Sequence, residues 1–217
     1  MAADDSVTPV ATAPERRLRY SIVLPPGWAK VALDESADMR AHELAVLAAR
    51  TAQPNVREQV RGYFERQMRE AFREARDAGT QDLYLPTEAI DGIPLGMSIA
   101  ITAAPLPEGA GGSVSEALLS FAEGDASAAA ATVGPVLAIR RVDDVPPQLD
   151  ATGELVMPAT RRISYMTPPP NDDRLMLVTA SILKLDIADG ETLSESLEFL
   201  FDAMVRTIRF DGEGARR

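Results

Sequence analysis

A chain of 217 residues, 46% of them hydrophobic, is long enough to bury a core without a disulfide or metal staple. With no cysteine at all, it excludes disulfides, thiolate nucleophiles and Cys-ligated zinc or iron–sulfur sites. A net charge of −11 repels phosphate backbones, which argues against nucleic-acid partners unless basic residues segregate onto one face.

Of the 22 basic residues only Lys30 and Lys184 are lysine, a bias that reads as the codon usage of a GC-rich bacterium and not as guanidinium chemistry. The opening Met-Ala-Ala-Asp-Asp-Ser has neither the basic and apolar regions of a signal peptide nor a lipidation cysteine. No apolar run approaches the ~20 residues that span a bilayer. The expectation is a cytoplasmic protein with no membrane partner.

Residues 1–15 are small, polar and aperiodic and read as a disordered tail. From Arg16 the pattern alternates: Leu18, Tyr20, Ile22 and Leu24 oppose Arg17, Arg19 and Ser21, as in a half-buried strand. Pro25-Pro26-Gly27 breaks it, and Trp28 to Leu33 offers a second strand. A helix is expected from Ser36 to Thr51, with Met39, Leu44 and Leu47 on its apolar side. The next helix has Pro54 in its first turn and Gly79 at its close. Val56, Val60, Phe64, Met68, Phe72 and Ala75 make one stripe along it.

Strands are expected at Gln81–Leu85 and at Leu95–Ala103, where Leu95, Met97, Ile99 and Ile101 alternate with small or polar residues. Ser113 with Glu116 makes a capping box for a short helix. Asp125 to Thr132 is Ala-rich and reads as weak helix or linker. Further strands fall at 134–142, 159–167 and 174–186, the last two joined through Pro168 to Asp172. The final helix is expected to begin at Thr192, capped through Glu195, with Leu193, Leu197, Leu200, Phe201, Met204 and Ile208 as its buried stripe. Helices that cluster early and late, around consecutive strands, predict an α+β fold with a mainly antiparallel sheet. The expected organisation is one domain over residues 16–211, with a flexible tail at 212–217.

Catalytic motifs fail one by one. His42 is the only histidine, on a helix at the border of its apolar side. Gly96-Met97-Ser98 lacks the second glycine of a nucleophile elbow and runs along a strand. Gly109, Gly111 and Gly112 precede Ser113 but match neither the P-loop nor the dinucleotide fingerprint. Aligned on Gly190, an EF-hand loop would start at Leu185 and end at Ser196, which are not calcium ligands. Asp143-Asp144 and Asp172-Asp173 read as solvated turn residues beside prolines. No catalytic residue, metal ligand or cofactor site is therefore expected.

One polar constellation remains. Ile139-Arg140-Arg141-Val142 is echoed by Thr160-Arg161-Arg162-Ile163. If the two strands lie close, one Arg of each doublet shares a face, and Arg140, Arg141, Arg161 and Arg162 become candidates to hold a carboxylate or phosphate. Asp143, Asp144 and Glu154 are the carboxylates that would neutralise them.

The run Tyr20 to Trp28, a strand entering a Pro-Gly-Trp turn, resembles the opening of PsbP-like domains, whose bacterial relatives include LpqN-type lipoproteins. The close, Val205-Arg206-Thr207-Ile208-Arg209-Phe210, is similar to that group as well. The resemblance implies an α/β/α sandwich serving as an accessory or partner-binding protein. The two early helices and the absent lipobox cysteine depart from the family, and none of its functional residues maps here. The function expected is a non-enzymatic binding protein acting through protein–protein contact, such as an adaptor or immunity protein. The alternative is a binder of a small anion at the Arg doublets.

Overall fold

The computed structural model describes residues 17–88, 95–105, 114–123, 126–185 and 189–211. The tails expected at 1–15 and 212–217, and the Gly109–Ser113 loop, lie outside them. Described elements begin with β1 (Tyr20–Ser21), β2 (Trp28–Ala32), α1 (Ala37–Ala48) with a 3-10 turn (Ala49–Thr51), and α2 (Arg57–Asp77). Next come β3 (Thr80–Pro86), β4 (Met97–Ala104), α3 (Val114–Ala122), β5 (Ala129–Val133) and β6 (Val136–Val145). The chain continues with β7 (Gln148–Leu149), β8 (Leu155–Met157), β9 (Thr160–Thr167), β10 (Leu175–Leu183), α4 (Gly190–Arg206) and β11 (Arg209–Phe210).

Seven strands pair in the order β2-β3-β4-β10-β9-β6-β5, every neighbour antiparallel. The fold is α+β, as the distribution of helices predicted. Period-two alternation decides which side of each strand is buried. Met97, Ile99 and Ile101 of β4 join Met176, Val178, Ala180 and Ile182 of β10 and Ile163 and Tyr165 of β9 on one face. The stripe of α4, including Leu197, Phe201, Met204 and Val205, closes that face into the main core. Beyond α4, β11 pairs with β1, so Arg209 and Phe210 are strand and not helix.

A smaller core lies on the other face at the β2–β3 end, where Val31, Leu33 and Leu83 meet Phe72, Met68 and Ala75 of α2. The buried side of α1 is Ala37, Ala41 and Ala45, at i,i+4 spacing, while Met39 is exposed. Of the expected Met39–Leu44–Leu47 side, Leu44 packs partly buried against this core and Met39 does not; the fully buried positions are alanines because small residues let a helix approach its neighbours closely. The second half of α2 supplies the residues of this core, Met68, Phe72 and Ala75; Val56 and Phe64 of the expected stripe are exposed. At 1.5 Å per residue α2 is about 30 Å long and outruns the small core.

Three other expectations need correction. Within the stretch Asp125–Thr132, expected as weak helix or linker, Ala129–Thr132 belongs to β5 (Ala129–Val133). Gly134 (φ 54°), followed by proline with its fixed negative φ, makes the two-residue hairpin turn that pairs β5 with β6. The last helix starts at Gly190 behind Asp189 with no side-chain cap, so the Thr192–Glu195 box does not form. Asp143 and Asp144 lie within β6, not in a turn.

β1 is held by polar contacts beneath the α4 face. Tyr20 donates its hydroxyl to buried Asp82 at 2.6 Å and accepts from Tyr84 at 2.9 Å. Arg17 and Lys30 pair with the same carboxylate at 2.8 and 3.1 Å. Burial, then the neighbouring Tyr84 and Asp82, pushes the Tyr20 phenol far above its ordinary range; burial first, with Asp82 adding, pushes Tyr84 up to about 12. A phenol whose folded pKa is raised contributes stability that is intact below its unfolded pKa of about 10 and is lost as pH rises through the folded value. Urea midpoints are therefore expected to fall between about pH 10 and 12 and to fall less in a Tyr20→Phe/Tyr84→Phe variant. Equal alkaline loss in both proteins would refute this.

No helix among the described residues is long and apolar enough to cross a membrane.

Candidate functional site

The Arg doublets lie on adjacent strands. In the β6–β9 register Asp144 faces Arg161 and Arg140 faces Tyr165, while Asp143 faces Arg162 and Arg141 faces Ser164. Directly opposed residues of an antiparallel pair share a face. Arg140 and Arg161 therefore lie under α4, and Arg141 and Arg162 on the opposite face. One Arg of each doublet does share a face, on both sides of the sheet.

The two faces differ in what meets the guanidinium groups. Beneath α4, Glu198 bridges Arg140 and Arg161. Asp202 accepts from Arg140 at 3.2 Å and from the Tyr165 hydroxyl at 2.7 Å. Arg161 also reaches Asp144 at 3.2 Å and Glu191 at 3.3 Å, and Lys184 joins Asp144 at 3.3 Å. Burial pushes the Asp144 carboxyl up, but hydrogen bonds from Arg161 and Lys184 outweigh it and hold the group below its ordinary range. This network fastens α4 to the sheet and leaves neither Arg140 nor Arg161 for a ligand.

Of the neutralising residues expected, Asp143 and Asp144 take part and Glu154 does not; α4 supplies the rest. Glu191, Glu198 and Asp202 recur at spacings of seven and four, which puts them along one side of a helix. That was the available signal.

Among the described residues the opposite face is covered in two places, by α1 and α2 over β2–β3 and by α3 over β6–β9. Between them the ends of β4, β10, β9 and β6 wall a cavity of about 420 Å³ with Ser98, Ser181, Leu183, Thr160, Arg162 and Val145; Met157 of β8 completes it. A second cavity of about 350 Å³ lies between Phe121, Arg141, Asp143, Arg162, Ser164 and Thr179. Arg162 lines both. Arg141 is engaged: it pairs with Asp143 at 3.1 Å and lies over the Phe121 ring at 5.8 Å. Arg162 is exposed and makes no ion pair among the described residues.

Mixed chemistry results. Met157 and Leu183 are exposed at the first cavity, 45% and 38%. The β7–β8 hairpin adds an exposed cross-strand pair, Leu149 with Leu155. A positive group beside aliphatic surface suits a carboxylate next to an aliphatic chain. Sequence reasoning found Arg162 and missed Met157, Leu183, Thr160, Ser181 and Phe121. Ser98 does line this groove, within β4 as its sequence context indicated.

His42 lies elsewhere, on α1, with Nδ1 3.0 Å from Glu65 on α2. That contact, with help from Arg69 and Arg61, holds the Glu65 carboxyl below its ordinary range. It ties two helices together on the surface. No cluster of three or more His, Asp or Glu suited to a metal ion occurs among the described residues.

No protein-family model matches the chain. No curated protein matches it. Among solved structures it is similar to the Saccharomyces cerevisiae Ran-binding protein Mog1p, with 11% identity and a TM-score of 0.44 over 88% of this chain and 90% of that one. A mutant of protein Mog1 gives the same values. A likeness at that TM-score carries no argument about what this chain binds.

Proposed function

We propose that the chain is a non-enzymatic binding protein that holds a protein partner on the part of its sheet left open between the helices. The observation that carries this reading is Arg162, unpaired among the described residues where two cavities meet beside Met157 and Leu183. A partner offering a carboxylate beside an aliphatic side chain answers both features, charge-assisted hydrogen bonding giving orientation and apolar burial giving affinity. The described lining holds no histidine, and its one carboxylate, Asp143, is engaged by Arg141. No general base is therefore placed at Arg162, which favours binding over catalysis. A cytoplasmic setting belongs to the same reading, and so does the PsbP-like resemblance of the Pro25–Trp28 turn.

Affinity capture from the source cell, run in parallel with wild type and Arg162→Glu, tests it. Wild type is expected to retain one stoichiometric protein, and Arg162→Glu to retain it at least about tenfold more weakly with unchanged circular dichroism. Equal retention by both proteins would sink the reading.

The hydroxyls of Ser98, Thr160 and Ser181 beside Arg162 favour a second reading, in which the cavity holds a small carboxylate or phosphate by itself. Millimolar ligand should then raise the melting temperature of wild type and not of Arg162→Glu. No shift with any such anion disposes of it.

A further inference from the structure

The outer edge of β5 carries a surface that the groove does not use. Among the described strands β5 pairs with β6 on one side only and ends the sheet. Its sequence, Ala-Ala-Ala-Thr-Val, has none of the charges or prolines that blunt an edge strand. Ala129, Ala130 and Thr132 are exposed.

The direction of its backbone groups follows from the turn. A two-residue hairpin turn makes Val133 and Val136 a mutually hydrogen-bonded pair, so by alternation Ala131 with Ala138 and Ala129 with Arg140 are bonded too. In the same phase the Val142 N–H points to the β5 side, donating to Ser127 Oγ at 3.4 Å, and the Leu137 carbonyl points to the β9 side, accepting from Thr167. Ala130 and Thr132 therefore direct N–H and C=O away from the sheet. No backbone hydrogen bond from them to another described segment exists beyond the β6 ladder.

We infer that β5 pairs antiparallel with β5 of a second copy of this chain, joining two sheets edge to edge. A twofold axis through Ala131 sets Ala130 opposite Thr132 of the copy and Thr132 opposite its Ala130. All four outward groups on each side are then satisfied, and Ala131 faces itself. A second copy fits this edge in charge and in bulk. Each chain carries a charge of −11, yet β5 has no charged residue, so the two acidic molecules meet along a neutral strip. Three successive alanines also bring no bulk to the junction. The contact buries far less than the roughly 1,200 Å² of a standard interface, so the dimer is weak and forms only at high concentration. Because the axis stands normal to the sheet, like faces stay on the same side, and two Arg162 grooves are presented together. The pairing itself does not depend on what those grooves bind.

Sedimentation across a dilution series tests it with the protein alone. Wild type is expected to shift from monomer toward dimer as concentration rises. Thr132→Pro, which removes an outward donor and spares the β6 ladder, is expected to stay monomeric with a wild-type circular dichroism spectrum. The chain has no cysteine, so Ala131→Cys gives a second readout that does not need the proline variant to fold. Directly opposed residues in a non-hydrogen-bonded pair lie at disulfide distance. Ala131→Cys should form a disulfide dimer under mild oxidation, and Ala129→Cys, set opposite Val133 of the copy, should not. Wild type monomeric at every concentration, or equal cross-linking at both positions, would overturn the inference.

Discussion

Phe201→Ala is expected to lower stability by about 3–5 kcal/mol, the largest effect of any single substitution considered. Phe201 is fully buried at the centre of the α4 stripe and packs edge-on against Tyr165, ring centroids 5.7 Å apart. Removing it opens a cavity between helix and sheet that neighbours on two rigid elements fill only in part. It also frees Tyr165, whose hydroxyl donates to Asp202 and accepts from Arg140. The same substitution therefore loosens the ion network that fastens α4. For a chain of this size the melting temperature should drop by roughly 10 °C. Urea denaturation checks the result: a midpoint shift with unchanged slope supports the packing account, and a midpoint within error of wild type refutes it.

Gly134→Ala is expected to cost about 3 kcal/mol, through two separate penalties. The first is conformational: Gly134 has φ 54°, where an L side chain is disfavoured. The second is steric. A Cβ at this position would sit 2.0 Å from the carbonyl oxygen of Ile208, and that atom is backbone and cannot rotate away. The Gly134 N–H donates to the Val205 carbonyl at 3.1 Å, so the turn is fastened to the end of α4. Relief requires β5–β6 and the α4 terminus to separate, with loss of that bond. Gly153, also at positive φ but with nothing near its would-be Cβ, is the control; Gly153→Ala is expected to cost only the conformational part. Equal midpoint shifts for the two variants would show that the close approach contributes nothing.

How much of this was legible in the sequence depended on whether neighbours in the chain are neighbours in space. β4 was readable because Leu95, Met97, Ile99 and Ile101 alternate with small residues, and α4 because its stripe repeats at helical spacing. β5 was not, since Ala129 to Ala131 carry no alternation; pairing with β6 across the Gly134–Pro135 turn imposes the strand. The buried side of α1 was read only in part: Leu44 does pack against the small core, but size also suggested exposed Met39, where close packing selects alanine. The Arg doublets were found by their echo. Their fates were hidden, because the carboxylates that consume Arg140 and Arg161 come from α4, far along the chain. Arg162 is spared only by strand register, a difference of one residue that turns a side chain to the other face. The groove was invisible for a similar reason: its walls are the ends of four strands and a hairpin.

The open face of the sheet is the proposed seat of a partner. The most direct measurement replaces Ser181, in the groove wall, by a photo-reactive amino acid and, separately, Arg66 on the exposed side of α2. Both proteins are irradiated in extracts of the source cell. One discrete protein adduct is expected from position 181, suppressed by the added Arg162→Glu change, and none from position 66. Adducts from position 66 alone, or from neither position, would contradict it.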